Sequence, residues 1–229
     1  MKAAGAVASR KRTRNALAQV VYEGVCREIT HGRMKPGQLL SRRQIARRYG
    51  CSYTTVVEAM KQLEGARLVE AESAQMARVR QVTRESIRDL YVLQEAYETQ
   101  AIRMACVHVT DEEVRELYSL AGALDRRISL RKSADPQGQL LHWQFHKRIA
   151  QLSRSAALMR ELGRSAVLAS IQTTWLITTT VTDDLPRWHS ILVDALKSRD
   201  PMKADAAMRA HTRRGLEKEL MAYERKLCE

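Results

Sequence analysis

A chain of 229 residues with 45% hydrophobic and 28% charged side chains has the balance of a soluble globular protein and the length for one large domain or two small ones. Aromatic residues are only 5%, with a single Phe, which favours helical packing by Leu, Ala, Val, Ile and Met over a β-sandwich. The net charge of +13 is concentrated at one end: residues 1–82 hold 16 Lys and Arg against 6 Glu and no Asp, whereas residues 83–229 hold 23 against 20 acids. Such a field attracts polyanions, nucleic acid first among them, the alternative being a basic surface kept for solubility.

Cys26, Cys51, Cys106 and Cys228 lie far apart without CxxC spacing, which argues against structural disulfides and for a reducing cytoplasm. No run approaches the roughly 20 apolar residues of a membrane span. The opening "MKAAGAVASRKRTRN" sets apolar residues before basic ones, the reverse of a secretory signal. It reads as a disordered basic arm over residues 1–13 that touches phosphates or is simply solvated.

From Arg14 to about His31, the spacing of Leu17, Val20, Val21, Val25, Cys26 and Ile29 predicts an amphipathic helix. "GRMKPGQLL" breaks it, and Ser41 caps a second helix, "RRQIARRYG", that ends at Gly50. Ser52 caps a third helix from Tyr53 to Gly65, with Val56, Met60 and Leu63 facing inward. Two short helices about a tight turn form a helix-turn-helix, whose second helix enters the DNA major groove. "ARLVEAESAQMARVRQV", β-prone at its ends and polar in its middle, supplies a two-stranded wing. Residues 14–82 are therefore expected to form a winged helix-turn-helix domain.

From Thr83 to residue 229 the pattern is helical throughout. Helices are expected near 84–107, 111–131, 136–152, 155–181, 184–198 and 201–226, with Thr83, Thr110, Asp135, Ser155, Asp183 and Asp200 as N-caps. Pro136 and Pro201 suit first-turn positions, and the β-branched "TTWLITTTVT" is a place for a kink. The fold class is mainly α: an N-terminal winged helix-turn-helix followed by an all-helical, six-helix bundle.

Four of the six histidines, His142, His146, His189 and His211, lie in this second part. In "LLHWQFHKRIA" the first two are four apart and share a helix face. Three or four imidazoles suit Zn²⁺ or Ni²⁺, although an HxxxH pair by itself also arises by accident on a surface helix.

Together these residues resemble the GntR family of bacterial transcription regulators, in the subfamily typified by FadR with its C-terminal FCD domain. The resemblance covers residues 14 to 226. It rests on "ITHGRMKPGQLLSRRQIARRYGCSYTTVVEAMKQLEGARLVE", on "HWQFHKRIAQLSRSAALMREL" and on "RWHSILVDALKSRDPMKADAAMRAH". It implies a homodimer on pseudo-palindromic double-stranded operator DNA, controlled by a small molecule in the helical domain. It also implies a divalent metal held by an Asp–His pair and two later histidines. His146, His189 and His211 occupy the histidine positions, and His142 replaces the Asp.

Three departures follow from the resemblance. Tyr53 and Val57 stand where recognition helices carry arginine, so guanine-directed bidentate contacts are lost. Gln94 stands where an arginine grips an effector carboxylate, and is the expected effector-binding position. The DNA-facing set is then Arg42, Arg43, Arg47, Ser52, Tyr53, Thr54, Thr55, Val57 and Lys61, with Arg48 and the arm adding phosphate contacts. His142 in place of Asp leaves a bound cation less neutralised and more attractive to a small anion.

The expected function is a cytoplasmic, non-enzymatic regulator that answers to a metal, a small ligand or both. Two other classes compete: a metal-dependent hydrolase with a basic accessory domain, and a nonspecific nucleic-acid binder. Four imidazoles leave no open metal position for hydrolysis, and no HExxH or Gly-flanked nucleophile is present. A large, nearly neutral helical domain has no evident use in the second.

Overall fold

The computed structural model describes residues 2–129, 136–176 and 187–228. The chain divides into two compact units, Met1–Val82 and Thr83–Glu229. The first contains α1 (Lys2–Thr30), β1 (Leu39–Ser41), α2 (Arg42–Tyr49), α3 (Tyr53–Gly65), β2 (Val69–Ala71) and β3 (Met76–Val79). The strands form one antiparallel sheet in the order β1-β3-β2.

Local chemistry accounts for the helix ends of this unit. The Ser41 and Ser52 hydroxyls accept the backbone N–H of Gln44 and Thr55 at 3.4 and 3.2 Å, satisfying orphan donors at the starts of α2 and α3. Gly50 is left-handed at φ 59, which turns the chain so that Cys51 N–H reaches the Ala46 carbonyl at 3.0 Å. Val56, Ala59, Met60 and Leu63 of α3 are wholly buried, and α3 packs on α1.

Three expectations change. Residues 2–13, expected as a disordered arm, are the opening turns of α1; they are mostly Ala, Lys and Arg, good helix formers that continue the turns behind them. The buried stripe of α1 is Ala18, Val21, Val25 and Ile29, while Leu17 and Val20 stand 39% and 55% exposed on the adjoining face. The wing gains a third strand, because Leu40 pairs with Ala77 and buries where only a turn was expected.

The second unit contains α4 (Arg84–His108), α5 (Asp111–Ser129), α6 (Pro136–Leu152), α7 (Ala156–Leu176), α8 (Ser190–Lys197) and α9 (Pro201–Leu227). Thr83 and Ser86 form a reciprocal capping box on α4, and Thr110 and Glu113 form another on α5. Ser155 and Asp200 cap α7 and α9 as expected. Asp135, Asp183 and most of the β-branched run at 173–182 lie outside the described residues.

Ile102, Cys106, Leu117, Leu124, Phe145, Ile149, Leu192, Leu196 and Met208 build the main core of this unit. No described helix is long and apolar enough to cross a membrane. Along the contact between α4 and α9, Gly215 allows a close approach: a Cβ there would meet the Tyr91 ring at 2.9 Å. Gly215→Ala is expected to cost about 1–3 kcal/mol through overpacking, read as a lower urea midpoint with unchanged helical content.

Candidate metal centre and nucleic-acid face

The helix-turn-helix places its candidate residues on two sides. Arg43 and Arg47 on α2 and Thr54 and Lys61 on α3 are exposed, and Val57 is half-buried between them and the core. The three cations carry no ion pair among the described residues. Ser52 is exposed but uses its hydroxyl as the α3 cap. Tyr53, 37% exposed, donates its hydroxyl to the Ala74 carbonyl at 2.5 Å, so its polar end is bound to the wing turn.

Arg42 and Thr55 correct the sequence reading. Arg42 is buried at 7% exposure, donating to the Ser73 carbonyl at 2.6 Å and to Glu64 at 3.2 Å. As the first residue of α2 it points back at the wing, where it ties the sheet to α3. Thr55 is buried at 3% and bonds Ser52 through its hydroxyl. Arg48 is also committed: its guanidinium makes a two-point pair with Glu28 of α1. Glu58, exposed one residue beyond Val57, shares the open face and was not among the sequence candidates.

In the helical unit, His142 and His146 come from successive turns of α6, His189 from the turn before α8 and His211 from α9. One nitrogen from each lies within 4.8 Å of the others. His146, His189 and His211 are buried, whereas His142 is exposed at the edge of the group. His146 Nε2, His189 Nε2 and His211 Nδ1 are enclosed by protein and have no hydrogen-bond partner.

Two buried carboxylates back this ring of nitrogens. Asp125 of α5 accepts from His189 Nδ1 at 3.1 Å and from His189 N–H at 2.9 Å through Oδ1. Its Oδ2 accepts the Ser190 N–H and hydroxyl at 3.1 and 2.6 Å. One side chain thus caps α8 from another helix and fixes the His189 tautomer with Nε2 free. Glu98 Oε2 of α4 lies 2.9 Å from His146 Nδ1, near enough to pair charges but outside hydrogen-bond alignment. Neither acid carries a spacing signal; the available hint was a carboxylate on an otherwise apolar, core-facing stripe.

Burial, reinforced by the neighbouring imidazoles, pushes His211 well below the usual histidine range. Burial likewise lowers His189, against the opposing pull of Asp125. Burial raises Asp125, but hydrogen bonds from His189 and Ser190 outweigh it and leave the carboxyl below its usual value. Near neutral pH His189 and His211 are therefore neutral, with lone pairs available. Bonds of about 2.0–2.1 Å set neighbouring ligands of a tetrahedral ion about 3.4 Å apart, so the widest pairs of this group, within 4.8 Å, would close by up to about 1.4 Å around a divalent ion.

Gln94, half-buried on α4, bonds the Tyr97 hydroxyl, which also donates to Ser165 of α7. Beside the histidines, Trp188 Nε1 is a buried donor without a partner, and Lys218 Nζ lies 5.0 Å from the centre of the Trp188 ring. Further along α9, burial raises Glu219 from 4.5 to about 7 despite bonds from Tyr91 and Thr173 and the charge of Lys218.

A winged helix-turn-helix with a four-histidine cluster in a separate helical unit is the architecture of a ligand-responsive transcription regulator. The FCD domain profile matches residues 89–214, and that of the bacterial regulatory proteins, gntR family, matches residues 17–79. The chain belongs to the GntR family of DNA-binding transcription regulators, with an FCD domain as its helical part. Its relatives include a probable D-xylose utilization operon transcriptional repressor of Paenarthrobacter nicotinovorans, 27% identical over 89% of this chain and 88% of that one. Over 79 residues, 34% of this chain and 33% of the relative, it is 35% identical to the HTH-type transcriptional regulator Mce2R of Mycobacterium tuberculosis. Among solved structures, Escherichia coli McbR/YncC superposes with a TM-score of 0.70 at 19% identity, covering 90% of this chain and 98% of that one. A GntR chain from Rhodococcus sp. RHA1 gives 0.65 at 23% identity with the same coverage.

The Glu219 shift makes stability depend on pH. Its folded pKa of about 7 exceeds the ordinary 4.5, so the native state holds this proton more tightly. That contribution is full below about pH 4.5 and is lost as pH rises through about 7. Unfolding free energy is expected to fall by about 1–3 kcal/mol between pH 5 and 8 from this group, and Glu219→Gln to remove that part of the slope in urea titrations.

Proposed function

We propose that this chain is a FadR-type regulator that binds a pseudo-palindromic operator as a homodimer and carries a divalent metal, Zn²⁺ or Ni²⁺, on His142, His146, His189 and His211. The observation that supports it most directly is the set of three buried, partnerless imidazole nitrogens beside His142, all within 4.8 Å. Leaving such groups unpaired costs about 1–3 kcal/mol each, a cost that an ion would remove. When bound, the ion supplies a fixed positive centre. His142 in place of an acid withholds a direct negative ligand, while Asp125 and Glu98 supply the balancing charge one layer out.

The effector that suits this surrounding has an anionic group. Trp188 Nε1 offers an unused donor beside His189 and His211, Lys218 adds positive charge, and exposed His142 marks the approach side. Occupation acts on operator binding to the extent that it favours one state of the helical unit over another. A hydrolytic reading has less support, because four imidazoles complete a tetrahedral ion and leave no open position. Protein purified without a nickel column is expected to contain about one metal per chain by elemental analysis, and His146→Ala to lose it. Asp125→Ala should weaken metal binding by about 10–100-fold; metal-free wild-type protein would overturn the reading.

On the DNA side, the proposed reading edge is Thr54, Val57, Glu58 and Lys61, with Arg43 and Arg47 on phosphates. Val57 suits a thymine methyl and Glu58 a cytosine amino group, a different code from the arginine–guanine pairing. With a duplex selected from random DNA by the protein itself, Arg43→Ala and Lys61→Ala are each expected to weaken binding and reduce the salt slope by about 1. Arg42→Ala should lower stability by about 1–3 kcal/mol and leave the slope unchanged, since its charge is spent inside the unit.

A further inference from the structure

The inner face of α4 carries Tyr91, Gln94 and Glu98 at helical spacing, with no cation among them. Facing it, α9 carries His211, Gly215 and Glu219. Glu219 Oε2 is enclosed by protein without a hydrogen-bond partner. On α7, which also contacts both helices, Gln172 fixes its amide by donating Nε2 to the Ser86 carbonyl at 3.1 Å. Its Oε1 is left buried and partnerless. Gln172 Oε1 is an acceptor, and Glu219 Oε2 is one in the ionised carboxylate that a cation would favour. The aromatic residue beside Glu219 is Tyr91, held against α9 where Gly215 lacks a side chain; the Trp175–Tyr223 pair on the same helices has ring centres 5.8 Å apart and Lys226 Nζ 6.0 Å from the Trp175 ring.

A carboxyl oxygen and an amide oxygen left unmet near the Tyr91 ring are the chemistry that recognises an ammonium group, although the other Glu219 oxygen is served by Tyr91 and Thr173. We propose that the α4–α7–α9 seam around Glu219 is a subsite for the primary-amine end of a small effector whose anionic end reaches the histidine group. The assignment rests on the effector-gated reading above and narrows the ligand to amino acids with separated charges. Glu219 and His211 are eight residues apart on α9, about 12 Å along the axis. That rise bounds the spacing between the two ends and favours an extended ω-amino acid over a compact α-amino acid. Tyr91 lies between the two ends, packed against Gly215 and interacting with Glu219 and with the Glu98 charge beside His146, so a spanning ligand must turn its ring aside.

The test uses full-length protein, as purified, with its metal content measured in parallel. Binding of β-alanine, 5-aminopentanoate, 6-aminohexanoate and 8-aminooctanoate is compared by calorimetry with that of propionate, pentanoate, hexanoate and octanoate. At least one of the longer amino acids is expected to bind about tenfold or more tightly than its matched acid, and Glu219→Gln to abolish that advantage. Tyr91→Phe, which keeps the ring and removes the hydroxyl, should reduce it. Equal binding of acids and amino acids, no binding by any probe, or an amine preference that survives Glu219→Gln overturns the proposal, the unmet acceptors then being satisfied by water. Metal-free protein that still prefers the amino acids through Glu219 would support the subsite and refute the metal reading, so the two fail separately.

Discussion

The Asp125 carboxylate joins two requirements that would otherwise compete. The N-terminus of α8 must have its free N–H groups satisfied inside the bundle, and His189 must hold one nitrogen toward the other imidazoles. A local cap would have met the first need alone. By accepting from His189 Nδ1 as well as from the His189 and Ser190 N–H groups, Asp125 couples the start of α8 to the orientation of the ring. The hydrogen bonds hold the acid ionised within a buried setting, so its negative charge remains beside the cluster. The other rings are then built around a fixed one: two from α6, one turn apart, and one from the middle of α9.

The first unit shows how a large formal charge becomes a small functional one. Arg42, Arg48 and Arg78 each pair with a glutamate, and these contacts connect α2 to α3, α2 to α1, and β3 to the wing turn. Arg42 has the same charge and almost the same sequence position as Arg43, yet one braces the interior while the other faces solvent. On a helix, neighbouring residues differ by about 100° in direction, so adjacency carries no guarantee of shared function. The basic excess of residues 1–82 acts as a long-range field, but only the subset left unpaired on the open face is free for close contact.

This contrast marks what the sequence made legible. Helix starts at Thr83, Thr110, Ser155 and Asp200 were readable because a cap acts over three residues. The four histidines were recognisable through family resemblance, and their convergence is a property of the bundle that spacing within α6 alone did not contain. Asp125 and Glu98 act across helices distant in sequence, with no local pattern to betray them. The short strand at Leu39–Ser41 was hidden for the same reason: three residues acquire strand character only by pairing with β3. Leu17 and Val20 were misplaced because their hydrophobicity competed with the smaller Ala18, and packing on α3 chose the stripe containing Ala18.

The energetics of the helical unit connect its two unusual features. Besides His146 Nδ1 next to Glu98, three imidazole nitrogens and two acceptor oxygens are buried without hydrogen-bond partners in the helical unit. At about 1–3 kcal/mol each, such groups represent roughly 5–15 kcal/mol of unmet interaction, an upper range because relaxation and water recover part of it. Reversing a 1:99 population requires about 5.5 kcal/mol of differential binding. A cation that satisfies the nitrogens together with a donor that satisfies the oxygens is therefore of the right magnitude to move α9 relative to α4 and α6, provided the alternative arrangement cannot satisfy both. An ion bound equally well in both states would add stability without switching anything. In that case the proposed ligand spanning the histidines and the Glu219 end would discriminate between the states, because it senses the distance between them.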